Sequence, residues 1–207
     1  MKININDFIG KSDPRVWMRE PIQVAGKLAA TDGRTVFSSN ESSDLPSPET
    51  ASLEKIEQFL DLAAAANFSP MPELTFPEMP DCADCKGAGK HSKKDCPECD
   101  GEGEAMAETA YHEYEVQCRM CDGDGQVDSD EPEGDCQHCN GKGKRWTDND
   151  RMKVEGIPFD MNPALMLRIA DVPGMQIAPL ESSEISRCIA FKCADGIGII
   201  MGMRDKP

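Results

Sequence analysis

The sequence predicts an α+β fold, in which a small discontinuous α+β body is interrupted by a mostly irregular and β-hairpin cysteine-rich module. Three observations lead there. Eight cysteines fall in four C-x-x-C-x-G-x-G units between Cys82 and Gly143. Each flank holds one hairpin pattern and one helix pattern, too little for two separate domains, so the flanks should pack together. A proline-rich stretch, Ser69 to Pro80, marks the entry to the cysteine segment. The expected division is residues 1–80 with 146–207 as the body, and 81–145 as the inserted module.

In the first flank, the apolar runs Ile22–Leu28 and Arg34–Ser38 surround Ala30-Thr31-Asp32-Gly33, and Asp-Gly between two such runs predicts a hairpin. Residues 38–50, rich in Ser, Asn, Glu and Pro, read as a loop. A helix is expected from Ala51 to Ala66, entered through Ser47-Pro48 or Thr50 and stopped at Asn67. Leu53, Ile56, Leu60 and Ala63 share one of its faces, with Phe59 beside them, which suits an ordinary core-facing helix. Pro70, Pro72, Pro77 and Pro80 exclude helix and central strand from the stretch that follows, which reads as a stiff linker.

Within the cysteine segment, the gap from Glu104 to Gln117 contains Tyr111-His112-Glu113-Tyr114-Glu115-Val116, which can extend as a strand; repeats two and three should then sit at the ends of a hairpin. Gln126 to Asp135 is almost all acid, Ser, Pro and Gly, and reads as an exposed mobile loop. In the second flank, Asn162-Pro163 supplies a cap and a first-turn proline before Ala164–Ile169, a short helix closed by Pro173-Gly174. Ile185–Cys193 and Ile197–Met203 read as two strands around Asp195-Gly196.

Composition narrows the chemistry. The 207 residues carry a formal charge of −16, and four thiolates on a divalent ion add two further negative charges per site. Nucleic-acid binders neutralise phosphates with a basic stripe, and no long Lys/Arg run exists here, so direct nucleic-acid binding is disfavoured. The first residues lack the apolar core of a signal peptide, and no apolar run approaches the ~20 residues that span a bilayer. A reducing cytoplasm is the expected home. It favours reading C-x-x-C pairs as metal ligands over disulfides.

A two-residue spacer lets both thiolates of a tight turn address one metal, while the glycines allow positive φ and admit backbone N–H groups near sulfur. Four such turns supply eight ligands, enough for two closed four-cysteine zinc sites; disulfides and redox-active pairs are the competing readings. Cys188 and Cys193 sit five apart on an expected strand, pointing to opposite faces, and read as buried free thiols. His91 and His138 lie near the repeats, but the cysteines already saturate two sites. Trp17, Trp146 and the C-terminal methionines read as packing residues, with a hydrophobic binding surface as the competing reading. No nucleophile–base pair, His-Glu-x-x-His helix or phosphate-binding glycine loop is present, so no active site is expected.

The four repeats resemble the cysteine-rich region of DnaJ-type co-chaperones, from Cys82 to Gly143, about a third of the chain. The resemblance implies two zinc ions on a V-shaped hairpin. Cys82, Cys85, Cys136 and Cys139 of the first and fourth repeats would hold one ion, and Cys96, Cys99, Cys118 and Cys121 of the second and third the other. None of the three histidines, at 91, 112 and 138, precedes Pro-Asp, and the Gly/Phe-rich linker is missing. The resemblance therefore implies a zinc-stapled polypeptide-binding or docking module and not a complete co-chaperone. In the flanks, Leu28-Ala-Ala-Thr31-Asp32-Gly33 is similar to a hairpin of bacterial DNA sliding clamps. The ending Gly198-Ile-Ile-Met201-Gly-Met203-Arg204 is similar to the clamp's closing strand, with Gly202 in place of a proline.

The sequence thus points to a non-enzymatic zinc protein that binds a protein partner or non-native polypeptide through a double-zinc hairpin. Two alternatives stand beside it. One is a DNA replication or metabolism accessory with a clamp-like body and the hairpin as a docking arm. The other is a C-x-x-C thiol oxidoreductase, which would need the metal to release its thiols.

Overall fold

The computed structural model describes residues 3–45, 47–48, 51–90, 93–108, 110–128, 134–180 and 187–204. In chain order the elements are β1 (Ile22–Val24), β2 (Lys27–Thr31), β3 (Thr35–Ser42), α1 (Ala51–Ala64), β4 (Ser69–Pro70) and β5 (Lys93–Asp95). Then follow β6 (Glu104–Glu108), β7 (Glu113–Gln117), β8 (Gln126–Asp128), α2 (Pro163–Ala170), β9 (Gln176–Leu180), β10 (Cys188–Cys193) and β11 (Gly196–Met201). Contacts divide the chain into two compact units, Met1–Pro77 with Thr147–Pro207, and Glu78–Trp146. No helix among the described residues is long and apolar enough to cross a membrane.

The first unit is an α+β body. Among the described residues its strands form one antiparallel sheet in the order β1-β2-β3-β11-β10-β9-β4. The two flanks meet in the middle of that sheet, where β3 pairs with β11 from Thr35 opposite Ile200 to Ser39 opposite Gly196. Alternation along the strands then gives each face its own core. On one face Phe8, Phe37 and Phe191 stack, with ring centroids 5.2 to 6.0 Å apart, beneath α2 and the segment from Met152 to Met161. On the other face α1 packs through Ile56 and Ala63 against Ile22, Val36, Ala190 and Ile199. Gly198 sits in register with both Phe37 and Phe191, and a Cβ there would lie 2.3 Å from the Phe191 ring. The aromatic layer can close only because that side chain is absent.

Local chemistry explains both helices. Leu53, Ile56, Leu60 and Ala63 all reach the core face of α1, with Phe59 beside them. Its entry at residues 49–50 lies outside the described residues. The α2 entry has its cap, because Asn162 Oδ1 accepts from the backbone N–H groups of Ala164 (2.9 Å) and Leu165 (3.3 Å), with Pro163 at the first position.

Several expectations are corrected. Ile22–Leu28 is two strands, because Ala25 (φ 49°) and Gly26 (φ 78°) form a two-residue turn that pairs Val24 with Lys27. An alanine in that conformation gives no turn signal. Ala30 and Thr31 belong to β2, and the turn is confined to Asp32-Gly33-Arg34. The expected loop 38–50 begins only after Ser42, because β3 is a central strand with β2 and β11 on its two sides; backbone pairing there outweighs a polar composition.

The presumed linker is anchored. Ser69–Pro70 is an edge strand on β9, where proline is tolerated, and Met71, Leu74 and Phe76 pack against the main core. Strand β9 forms although Pro179 argues against a strand in Gln-Ile-Ala-Pro-Leu. It is admitted beyond the short β4, where β9 is itself an edge. Strand β10 starts at Cys188, and Ile185 lies outside the described residues. Of the acidic segment 126–135, Gln126–Asp128 pairs with Lys93–Asp95, and residues 129–133 lie outside the described residues.

One ion pair ties α2 to the β2–β3 turn. Arg168 Nη1 lies 2.7 Å from Asp32 Oδ2 and donates to Thr35 Oγ1 at 2.8 Å, while Asp32 Oδ1 accepts from the backbone N–H groups of Arg34 and Thr35. Both side chains are mostly buried. Asp32→Ala is therefore expected to lower body stability by about 2 kcal/mol, seen as a shifted denaturant midpoint with zinc content unchanged.

Candidate metal centres

The second unit is an antiparallel ribbon tied at two points by cysteines. Asp81 bridges Lys144, Lys90 bridges Asp135, β5 pairs with β8, and β6 pairs with β7 from Glu104 opposite Gln117 to Glu108 opposite Glu113. The first and fourth repeats face each other across the outer tie, and the second and third across the inner one. The Glu104–Gln117 gap is thus the hairpin that the sequence predicts.

Each repeat builds the same knuckle. Lys86, Asp100, Asp122 and Asn140, which follow the second cysteines, all adopt φ near 50°, and the two glycines after them are also left-handed. The chain thereby curls around the second sulfur. The second glycine's N–H donates to that sulfur: Gly89 to Cys85 (3.2 Å), Gly103 to Cys99 (3.2 Å), Gly125 to Cys121 (3.3 Å) and Gly143 to Cys139 (3.2 Å).

The knuckles pair reciprocally. The backbone N–H of Cys82 donates to the Gly143 carbonyl at 2.8 Å, and that of Cys136 to the Gly89 carbonyl at 2.9 Å. Cys96 and Cys118 repeat this with Gly125 and Gly103. The backbones come so close that a Cβ at Gly89, Gly103, Gly125 or Gly143 would lie 2.3–2.4 Å from a carbonyl oxygen of the facing knuckle. No other residue fits.

The eight thiols gather into two buried groups, Cys82, Cys85, Cys136 and Cys139, and Cys96, Cys99, Cys118 and Cys121, with all sulfurs of a group within 4.8 Å of one another. Facing sulfurs stand 4.0 Å (Cys82, Cys136), 3.7 Å (Cys85, Cys139) and 3.8 Å (Cys96, Cys118 and Cys99, Cys121) apart. A tetrahedron of ligands at the usual zinc–sulfur distance of about 2.3 Å has edges of roughly 3.8 Å. A disulfide would bring its sulfurs to about 2.05 Å. The donor set and spacing fit two closed four-thiolate zinc sites, and the protein holds two Zn²⁺.

Residues outside the ligand set complete the picture. Asp81, Asp95, Gln117 and Asp135 each precede the first cysteine of a repeat and lie over its first glycine, where a Cβ would come within 2.7–3.2 Å of them. Gln117 Nε2 also donates to the Asp122 carbonyl at 2.5 Å. The signal was present in the sequence as a recurring Asp or Gln just ahead of each repeat. His138 stays outside the thiol group, half exposed, with Nδ1 3.6 Å from Asp84. His91 lies outside the described residues.

Cys188 is buried on the α1 face, whereas Cys193 is only half-buried against the opposite core, so the two point apart as expected but just one is the buried thiol that was expected of both. Burial pushes the Cys188 thiol up to about 11, against an opposing hydrogen bond from Gly202. Trp17 packs under α1. Met201 and Met203 instead line an open cleft of about 580 Å³ rimmed by Arg34, Arg151 and Arg204.

Two curated relatives match the chain in its cysteine-rich part. It is 28% identical over 100 residues to a Chaperone protein DnaJ of Nitrosomonas europaea, covering 47% of this chain and 26% of the relative. It is 32% identical over 81 residues to a Chaperone protein DnaJ of Francisella philomiragia, covering 38% of this chain and 21% of the relative. The chain thus spans about a quarter of the length of the relatives it matches. No family model matches, and no solved structure does; the sliding-clamp likeness of the flanks rests on its two short segments alone. Four paired knuckles closing two thiolate sites define a double-zinc ribbon module. Residues 82–143 are a DnaJ-type cysteine-rich zinc-binding domain.

Without metal, burial pushes the thiols of Cys99 and Cys139 up to about 11, opposed by the N–H groups of Gly103 and Gly143. Such thiols keep their protons at neutral pH, and zinc must displace them. Apparent zinc affinity is therefore expected to fall by at least about tenfold per pH unit as pH drops below 7, with protons released on binding. Chelator competition at fixed pH values measures this, and metal analysis should return two zinc per chain. Gly103→Ala is expected to weaken the inner site by about 10–100-fold while the outer site keeps its zinc, since it disturbs the facing Gly123 carbonyl and the Cys99 hydrogen bond.

Proposed function

We propose that this is a non-enzymatic zinc protein whose double-zinc ribbon binds a protein partner or a non-native polypeptide. The observation that carries the reading is the β6–β7 ribbon at the inner zinc site, which leaves Met106, Tyr111, Tyr114 and Val116 exposed. Large apolar side chains held at solvent by a metal-fixed scaffold suit recognition of other chains. Four thiolates per zinc leave no coordination position for water, which speaks for a structural metal and against metal-assisted hydrolysis. Thiols bound to metal are likewise withheld from disulfide exchange. Both relatives are named chaperone proteins, which agrees with this reading, although each is matched over only about a quarter of its length.

The test uses the full zinc-loaded chain and a chemically denatured client. The protein is expected to suppress client aggregation, and to lose that effect on zinc extraction or with Cys96→Ser/Cys99→Ser, which leaves the outer four-cysteine group intact. Unchanged client aggregation at excess zinc-loaded protein would overturn the reading.

A further inference from the structure

Among the described residues the β6–β7 ribbon pairs only with itself, so the outer edges of both strands offer unpaired backbone groups. Its register sets two unlike faces. On one, Ala105 stands opposite Val116 and Ala107 opposite Tyr114, with Val116 43% and Tyr114 50% exposed. On the other, Glu104 stands opposite Gln117 and Met106 opposite Glu115, with Glu113 two residues before Glu115 on the same strand face.

Charge concentrates at the same place. Residues 95–128 carry eleven carboxylates and a single Lys/Arg side chain, Arg119, whereas residues 78–94 and 129–146 carry seven carboxylates and seven Lys/Arg side chains. The four-thiolate inner site adds two more negative charges. The outer site adds the same two, so most of the module's excess negative charge belongs to the half that bears the ribbon.

We propose that the ribbon docks an extended polypeptide segment in which Lys or Arg alternates with aliphatic residues, added as a third strand on an open edge. Side chains of a strand alternate between faces, so on the open edge of β7 one side of such a segment continues the Tyr114–Val116 face and the other sets its cations beside Glu113 and Glu115. Main-chain bonds hold the segment, and the alternation selects it. The surrounding carboxylates attract a basic chain and repel an acidic one, which sets both the encounter rate and the choice of partner. This proposal rests on the polypeptide-binding reading above and narrows it to one chemical class.

Fluorescence anisotropy with the full zinc-loaded protein tests it, using three labelled peptides. One alternates Lys with Val, one alternates Glu with Val, and one has the Lys/Val composition arranged in blocks. The alternating basic peptide is expected to bind at least about tenfold tighter than either control, and to weaken as salt screens the carboxylates. Tyr114→Ser/Val116→Ser and Glu113→Gln/Glu115→Gln should each cost about tenfold in affinity, with two zinc retained per chain. Equal binding of the three peptides, or full binding by both variants, overturns the proposal. Concentration-dependent self-association that competes with the peptide makes a second copy the occupant and overturns it too. If client aggregation is still suppressed when the peptides are not distinguished, this proposal alone fails. If neither client nor peptide is bound, the broader reading falls with it.

Discussion

The zinc module depends on a contact between backbones that only glycine permits. In each knuckle pair, the first cysteine's N–H reaches the facing repeat's second glycine, and that glycine stands against the carbonyl of the facing first glycine. This sets where the two chains cross. The crossing brings two pairs of thiols to tetrahedral spacing before any ligand bond is considered. The glycine N–H bonds to sulfur then stabilise the thiolate form that the metal requires. Metal and backbone impose the same geometry, and neither has to strain the other.

The body has its own seam. Its N-terminal and C-terminal flanks are each half a sheet, and the β3–β11 ladder joins them. The aromatic layer of Phe8, Phe37 and Phe191 draws one ring from the C-terminal flank and two from the N-terminal one, with Gly198 giving room between the strands. Arg168 adds a polar tie from α2 back to the β2–β3 turn. Neither flank could bury its apolar face alone, so an insertion between them is tolerated as long as its ends can meet.

What could be read from the sequence follows the range of each interaction. Ligand pairs are local: two thiols separated by two residues and followed by glycines announce themselves. Which knuckle faces which is non-local, and there the repeats offered only a resemblance to follow. The α1 stripe and the Asn162-Pro163 cap were legible for the same reason of locality. The misses share one cause, in that tertiary pairing overrode composition. Ser38 and Ser39 look like loop yet are buried in a central strand. Ser69-Pro70 and Pro179 look like breakers yet occupy edges, where a missing N–H costs little. Ala25 adopts a conformation that its side chain disfavours, held by the pairing of β1 with β2.

The nested ties also bear on how the chain assembles. Asn40 and Ala194, 154 residues apart, hydrogen-bond across the body's seam, while the outer thiols that close the module lie 54 residues apart and the inner ones 22. Closing the outer tie first shortens the effective loop of the body from 154 residues to about 100, a gain of only about 0.4 kcal/mol in closure entropy. Zinc therefore contributes little to the body's equilibrium through chain length. The long loop that the module forms within the body bears mainly on how fast the sheet forms.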